Sequence, residues 1–332
     1  MRIWVYAGIL AVLAVLAVIG YRVMIDVKPH ATRPTMTPAV RADIAALEAR
    51  LMPHVRMLGG TIGKRHLLRP DQLRAAAEYI RKTWTDQGFT VRTEAFQVDG
   101  RPCENLIIEL RGAGRPQEIV LIGAHYDTTP GTPGANDNGS GVALLLEMSR
   151  AFTQAPLQRT LRFVAFTNEE PPHFFTEDMG SRVHARNARQ RGEAIVAMVS
   201  LETIGYYSDA SGSQSYPFPF GLLYPSAGNF LAVVGNLPSR PLVIDFLRAF
   251  MEVSDFPVEG VATFEMIPGI NWSDHWSFWK EGYPALMLTD TAPFRYPQYH
   301  APEDIPDKLT PPAFARVGHG IIQAVRRLAS PR

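Results

Sequence analysis

Apolar and polar positions follow two distinct periods along this chain. Over 40–57 the apolar residues Ile44, Leu47, Leu51 and Val55 recur three or four apart, the spacing of one helix face. A second helix is predicted over 70–87, with Leu73, Ala76, Ala77, Ile80 and Trp84 on one side and Gly88 as its stop. Residues 90–98 alternate as a half-buried strand does, and 105–110 reads as its neighbour. Apolar runs then occupy 119–124, 161–166 and 194–201, the pattern of parallel strands buried on both faces. Helices are predicted over 140–155 and 177–190, then near 242–252, 273–281 and 311–329, with further strands near 263–267 and 284–288. The stretch 208–245 is rich in Gly, Ser and Pro with scattered aromatics (Tyr216, Phe218, Phe220, Tyr224) and reads as a long excursion, a lid or pocket wall. Strands alternating with helices over 105–330 predict a single doubly wound α/β domain, its mixed and mostly parallel central sheet flanked by helices.

The N-terminus has a different pattern. Residues 3–21 carry no charge, and about 19 residues at 1.5 Å each span roughly 28 Å, close to a bilayer core. A transmembrane anchor over 1–22 is the expectation, followed by a Pro/Thr-rich linker over 23–39 and a folded domain over 40–332. A signal peptide cleaved after Ala17 is the competing reading. The flanking charges, Arg2 before and Arg22 and Lys28 after, are too balanced to fix orientation.

Composition narrows the chemistry. The 332 residues carry 33 Lys and Arg against 32 Asp and Glu, so nothing points to a nucleic-acid partner. Cys103 is the sole cysteine, which excludes an intramolecular disulfide and a thiolate zinc cage. Any bound metal must be held by His, Asp and Glu.

Such residues stand where the apolar runs end. The first run leads into GAHYDTTPGTPGANDNGSG at 123–141 and the second into FTNEEPP at 166–172, while two others end at Glu202 and near Asp290. In open α/β sheets the ligand crevice lies beyond the carboxyl ends of the strands, which places His125, Asp127, Asp137, Glu169 and Glu170 together. One carboxylate at a strand end is an ordinary cap or salt-bridge partner; four strands ending this way suggest a site. An adjacent Glu-Glu pair is costly to bury without positive charge. Past the strand end both side chains can reach a site, one as a metal ligand and its neighbour as a general base. Asp137 lies in a Gly/Asn-rich loop where a carboxylate can bridge two cations, with Ser140 a suitable cap for the following helix. Asp127 is placed to accept the second ring N–H of His125 and fix its tautomer. Imidazole with several carboxylates is ligand chemistry for zinc. His300 in YPQYHAPEDIPDKL and His275 in NWSDHWSFW are further ligand candidates that spacing alone leaves open, and Asp274 is either a site acid or a helix cap.

These motifs resemble the co-catalytic zinc peptidases of metallopeptidase family twenty-eight, clan MH. That group includes bacterial leucyl-type aminopeptidases, glutamate carboxypeptidase-like proteins and glutaminyl cyclases. The likeness spans about 45–330 and rests on GAHYDT at 123–128, PGANDNGSG at 133–141, NEEPP at 168–172, MGS at 179–181, LETIGYYSD at 201–209, SDHWSFW at 273–279, TDT at 289–291 and YH at 299–300. It implies the zinc-exopeptidase fold and two zinc ions: His125 and Glu202 on one, Glu170 and His300 on the other, Asp137 bridging them. It further implies Glu169 as general base, Asp127 behind His125, and a strained, often cis, peptide at Asp137–Asn138. Many relatives carry Asp where Glu202 stands, which bears on occupancy of the first zinc. Tyr206, Tyr207, Asp274, His275 and Asp290 are candidate substrate or oxyanion contacts.

The expected activity is removal of N-terminal residues from peptides with free N-termini, by a membrane-anchored enzyme whose catalytic domain lies on the periplasmic side. A glutaminyl cyclase-like acyltransferase and a non-catalytic peptidase-like binding ectodomain are the alternatives.

Overall fold

The computed structural model describes residues 18–31 and 34–330, together with 6, 9, 12, 13 and 15. In chain order its main elements are α1 (Pro38–Val55), α2 (Pro70–Asp86), β1 (Arg92–Val98), β2 (Arg101–Leu110), β3 (Arg115–His125), α3 (Gly139–Phe152), β4 (Arg159–Phe166), α4 (Gly180–Gln190), β5 (Ala194–Glu202), β6 (Leu231–Asn236), α5 (Arg240–Met251), β7 (Val258–Thr263), α6 (His275–Lys280), β8 (Ala285–Thr289), α7 (Ala292–Arg295) and α8 (Pro311–Ala329). The strands form one eight-stranded sheet in the order β1-β2-β4-β3-β5-β8-β6-β7. Its centre, β4-β3-β5-β8, is parallel. Antiparallel pairs join β2 to β4 and β6 to β8, and β6 runs parallel to the edge strand β7.

Period-two alternation along the buried strands divides the core in two. Val120, Ile122 and Ala124 of β3 join a cluster with Leu51, Leu144, Phe246 and Phe314 of α1, α3, α5 and α8. Ile119 and Leu121 turn to the other face, against Ala185 and Ala188 of α4 and Phe278 and Trp279 of α6. Both faces are covered, which is why these strands read as unbroken apolar runs. The central helix α3 is capped by Asn138, whose Oδ1 accepts the Gly141 N–H. Ser140, the cap expected from sequence, instead donates its hydroxyl to the Asn136 carbonyl.

Two departures lie in the second half of the chain. A buried strand, β6, emerges from the stretch read as an excursion, and the strand expected near 263–267 lies earlier, at Val258–Thr263. The expected span over 3–21 lies largely outside the described residues; among those described, no helix is long and apolar enough to cross a membrane. The residues that follow, part of the expected linker, lie against β7. Val27 is buried there, Thr263 Oγ1 donates to Met24 Sδ at 3.1 Å, and Lys28 pairs with Glu259 at 2.8 Å.

Candidate metal centre

The parallel strands end on one side of the sheet and deliver their polar groups to one place. His125 closes β3 and Glu202 closes β5, while Glu169 and Glu170 follow β4. Asn168 before the glutamates, Thr203 after Glu202, and His300 itself hold positive φ values of 58°, 42° and 54°. Non-glycine residues pay strain for this conformation, and at Asn168 and Thr203 it turns the chain sharply at the ends of β4 and β5.

Asp137 lies at the centre of the cluster. Its Oδ1 is 3.4 Å from His125 Nε2, which is also 3.3 Å from Glu202 Oε2. Its Oδ2 is 3.1 Å from His300 Nε2, in turn 3.3 Å from Glu170 Oε2. The two oxygens of one carboxylate are thus divided between two donor sets, each with its ligand atoms within 4.8 Å of one another. Glu169 Oε2 lies 3.8 Å from His125 Nε2, beside both sets.

Surrounding groups fix these positions. Asp127 accepts the backbone N–H groups of Glu169 and Glu170, both at 3.1 Å, so it ties the end of β3 to the turn after β4. It also stands 3.5 Å from His125 Nδ1, a charge contact rather than a hydrogen bond. Ser273 donates to Glu202 Oε2 at 2.7 Å. The loop bearing Asp137 is held through its backbone: Asp304 accepts from the N–H groups of Asn136 and Asp137, and the Asp137–Asn138 peptide is cis. Arg65, fully buried, donates to the carbonyls of Leu58, Gly63, Tyr126, Pro133 and Gly134.

The electrostatics call for cations. Asp137, Glu169, Glu170 and Glu202 are all buried, and the basic groups that stand directly against them are two imidazoles, buried His125 and more exposed His300. Burial drives the Glu169 carboxyl well above its ordinary range, and Glu202 and Glu170 push the same way against the pull of His125. Burial and Asp137 lift Glu170 to about 7. Burial favours a neutral His125, yet Glu169, Glu202, Asp127 and Asp137 outweigh it and hold the ring protonated. A field that holds a proton on a buried imidazole will equally hold a metal ion. His125 Nδ1 and Nε2, Asp137 Oδ1 and Glu170 Oε1 are buried without hydrogen-bond partners, which is how metal-directed atoms look when only protein is considered. Donors of imidazole and carboxylate in two sets sharing one carboxylate fit a pair of zinc ions.

Most of the candidate contact residues pack or bond elsewhere, whereas both carboxylate oxygens of Asp274 are buried without a hydrogen-bond partner. Tyr207 turns into the core against Phe256, and Tyr206 packs on Tyr296. Asp290 accepts from Asn136 Nδ2 and the Tyr206 N–H, bracing the loop beneath the cluster. His275 packs edge-on against Trp279, with Nε2 on the Ile270 carbonyl, and burial lowers its pKa to about 4. Asp274 begins α6 without a capping hydrogen bond; it is buried, and burial lifts it to about 7.

Sequence reasoning missed Tyr299. Its ring stacks on His300 at 3.9 Å, and its hydroxyl is pushed well above the phenol range by burial and by Asp137, Glu170, Glu202 and Glu169. Position beside His300 was the available signal. Arg65 and Asp304 gave none, because both act on backbone atoms of a distant loop.

The centre depends on close backbone packing behind it. A Cβ at Gly59 would lie 2.5 Å from Ala135 Cα, two residues before Asp137. Gly59→Ala is therefore expected to destabilise the fold by about 1–3 kcal/mol, the usual scale for overpacking. It should also weaken zinc binding, and calorimetric unfolding with chelator titration would measure both. An unchanged midpoint and affinity would show that the loop has room to shift.

A sequence profile of peptidase family M28 matches residues 105–325. The protein YfbL of Escherichia coli K12, itself uncharacterised, is 39% identical over 277 residues, covering 81% of this chain and 84% of its own. The fold is similar to that of a zinc aminopeptidase from Bacillus subtilis, with TM-score 0.68 and 15% identity over 86% of this chain and 95% of that one. It is also similar to that of a glutaminyl cyclase from Fimbriiglobus ruber, with TM-score 0.61 and 20% identity over 90% and 99% of the two chains.

Proposed function

Because this chain belongs to peptidase family M28, we propose that it is a zinc-dependent aminopeptidase acting on peptides with free N-termini. The observation that carries this reading is the division of Asp137 between His125 with Glu202 and His300 with Glu170, with Glu169 beside both sets. His125, Asp137 and Glu202 would hold one zinc ion, and Asp137, Glu170 and His300 the other. When bound, such a pair supplies Lewis acidity toward the scissile carbonyl and lowers the pKa of water.

The chain's own residues do the remaining work. Glu169, its carboxyl raised above the ordinary range by burial and placed beside both donor sets, takes a proton from the attacking water and returns it to the leaving amine. Asp127 holds Glu169 and Glu170 through their backbone N–H groups and so fixes both carboxyls at once. Tyr299 remains a neutral phenol at working pH, a donor for negative charge developing on the carbonyl oxygen.

A cavity of about 110 Å³ opens beside Glu202 and Tyr299 and runs along the sheet face between Ala232, Val234, Met287 and Phe294. Its walls are apolar, which suits an apolar N-terminal side chain. Val234→Phe, which fills this space, is expected to lower kcat/KM for peptides beginning with Leu or Phe by about tenfold or more. Peptides beginning with Ala should be affected much less. Equal losses on both would remove the cavity from substrate selection.

The decisive experiment incubates the full chain with peptides bearing free, acetylated or Gln N-termini and follows products by mass spectrometry, with and without chelator. Chelator-sensitive loss of single residues from free N-termini supports the reading. Loss of ammonia from Gln peptides would favour the second reading, a glutaminyl cyclase-like transferase, which the fold similarity keeps open. No reaction from folded, zinc-loaded protein would leave a binding ectodomain.

The N-terminal 1–22 segment is proposed to anchor the 40–332 domain outside the cytoplasm, with 23–39 between them. The uncharged run over 3–21 supports this, as does the exposure of Tyr6, Ile9, Val12, Leu13, Val15, Val18 and Ile19, each at least half accessible.

A further inference from the structure

No charged residue occurs between Asp209 and Arg240, in a chain that is 20% charged. A solvated loop would be expected to carry several. This one instead exposes Phe218 (89%), Leu222 (78%) and Leu223 (47%). The loop after β7 does the same with Phe264 (52%) and Met266 (87%). These two segments, with Trp272, supply six of the nine large apolar side chains exposed among the described residues beyond Val23. Scattered apolar residues on a surface need no explanation, but a concentration on two adjoining segments does.

The two segments meet at one edge of the sheet. Tyr224 donates its hydroxyl to the Gly260 carbonyl of β7 at 2.7 Å, and Tyr216 and Phe220 stack on Tyr224. Phe220 from the first segment and Ile267 and Trp272 from the second line the same apolar cavity. The chain leaving the uncharged N-terminal run arrives at this strand as well. Met24 receives the Thr263 hydroxyl, Lys28 pairs with Glu259, and Arg240 Nε binds the Val23 carbonyl at 2.7 Å. Phe264 directly follows Thr263, so the root of the apolar run and the exposed apolar rim are neighbours.

We propose that Phe218, Leu222, Leu223, Phe264 and Met266 form a membrane-docking rim that enters the interface of the bilayer in which residues 3–21 are anchored. The inference rests on the anchor reading above. An apolar segment rooted at β7 brings the bilayer to this edge, and apolar side chains bind there by burial in the headgroup and acyl boundary. The lack of basic residues in the first segment makes this attachment independent of anionic lipid and insensitive to salt. Its consequence for the proposed activity is substrate supply. Phe220, Ile267 and Trp272, which adjoin the rim in sequence, line the cavity, so peptides whose apolar N-termini partition to the membrane surface are the favoured class.

The test uses the full chain in phosphatidylcholine vesicles, with an environment-sensitive fluorophore on Leu222→Cys, on Met266→Cys and, as control, on Lys82→Cys of α2. Cys103 is buried and leaves the introduced thiols as the labelling sites. Vesicle flotation reports the anchor, and lipids carrying a quencher near the headgroup report the rim. The expected result is flotation of all three proteins, with blue-shifted and lipid-quenched emission at 222 and 266 but not at 82, unchanged by high salt. Flotation with unshifted, unquenched rim labels would overturn the proposal while keeping the anchor. A blue shift without lipid quenching would assign the rim to a second copy of the chain and overturn it equally. Failure to float would remove the anchor reading and the rim with it, leaving activity on soluble peptides as a separate question.

Discussion

Glu169→Gln is expected to keep both metal ions and lose turnover by roughly 10²–10⁴-fold, the usual contribution of a positioned general base. The amide is nearly isosteric and keeps the backbone N–H that Asp127 accepts, so the turn after β4 should stay in place. None of the close contacts that define the two donor sets through Asp137 involves this side chain. Metal content by elemental analysis should therefore match that of the unmodified protein while kcat collapses. A variant that turns over normally with the metals bound would transfer the base role to another group. A variant that is inactive because zinc is lost would mean that Glu169 is a ligand. Gln at Glu170 provides the contrast, since that change removes a ligand atom 3.3 Å from His300 Nε2 and should lower metal content itself.

How much of this site was legible follows from how each residue is held. His125, Glu169, Glu170 and Glu202 sit at or just past the ends of unbroken apolar runs, and such runs in a two-layered α/β sheet point to the carboxyl edge. His300 lies eleven residues beyond the end of β8 in a backbone conformation of positive φ, which no periodicity reports. Its assignment needed the family resemblance. Tyr207 shows that an aromatic near the site in sequence can turn to the core, for its ring packs on Phe256, a direction that sequence position does not reveal. In the fold, TFEMI at 263–267 alternates as a strand should, whereas VEGVAT carries a glycine that lowers strand propensity. The glycine lets a helix side chain come close: a Cβ on Gly260 would lie 2.5 Å from Leu247 Cδ1 of α5. Close helix packing against the edge strand overrode local preference there. The strand β6 was hidden differently, as six apolar or neutral residues inside a stretch whose composition signals loop.

Removing the metal is expected to abolish turnover and to lower the thermal midpoint, and the second effect should grow as pH rises. In the metal-free protein burial and Asp137 raise Glu170 from 4.5 to about 7. A carboxyl whose pKa is higher folded than unfolded contributes stability that is complete below about 4.5 and lost as pH climbs through about 7. Asp274, raised by burial from 3.8 to about 7, and Glu169, raised by burial and neighbouring carboxylates, act with the same sign. His300 is raised as well, to about 10, and its contribution fades between about 6.5 and 10. Asp137 works in the opposite sense: His125 and His300 overcome its burial and lower its pKa, so its contribution is present above 3.8 and lost in acid. Glu170 and Asp274 lose stabilising protons as pH climbs to about 7. Glu169 is shifted in the same direction, and Asp137 is already ionised above 3.8, so the metal-free protein should weaken as pH rises through that range. Zinc competes with those protons for the same oxygens and nitrogens, so its stabilisation should increase over the same interval. Scanning calorimetry of chelated and zinc-loaded protein across this range measures the difference directly. A zinc-induced shift that stays flat or shrinks toward neutral pH would show that the metal binds somewhere other than this cluster.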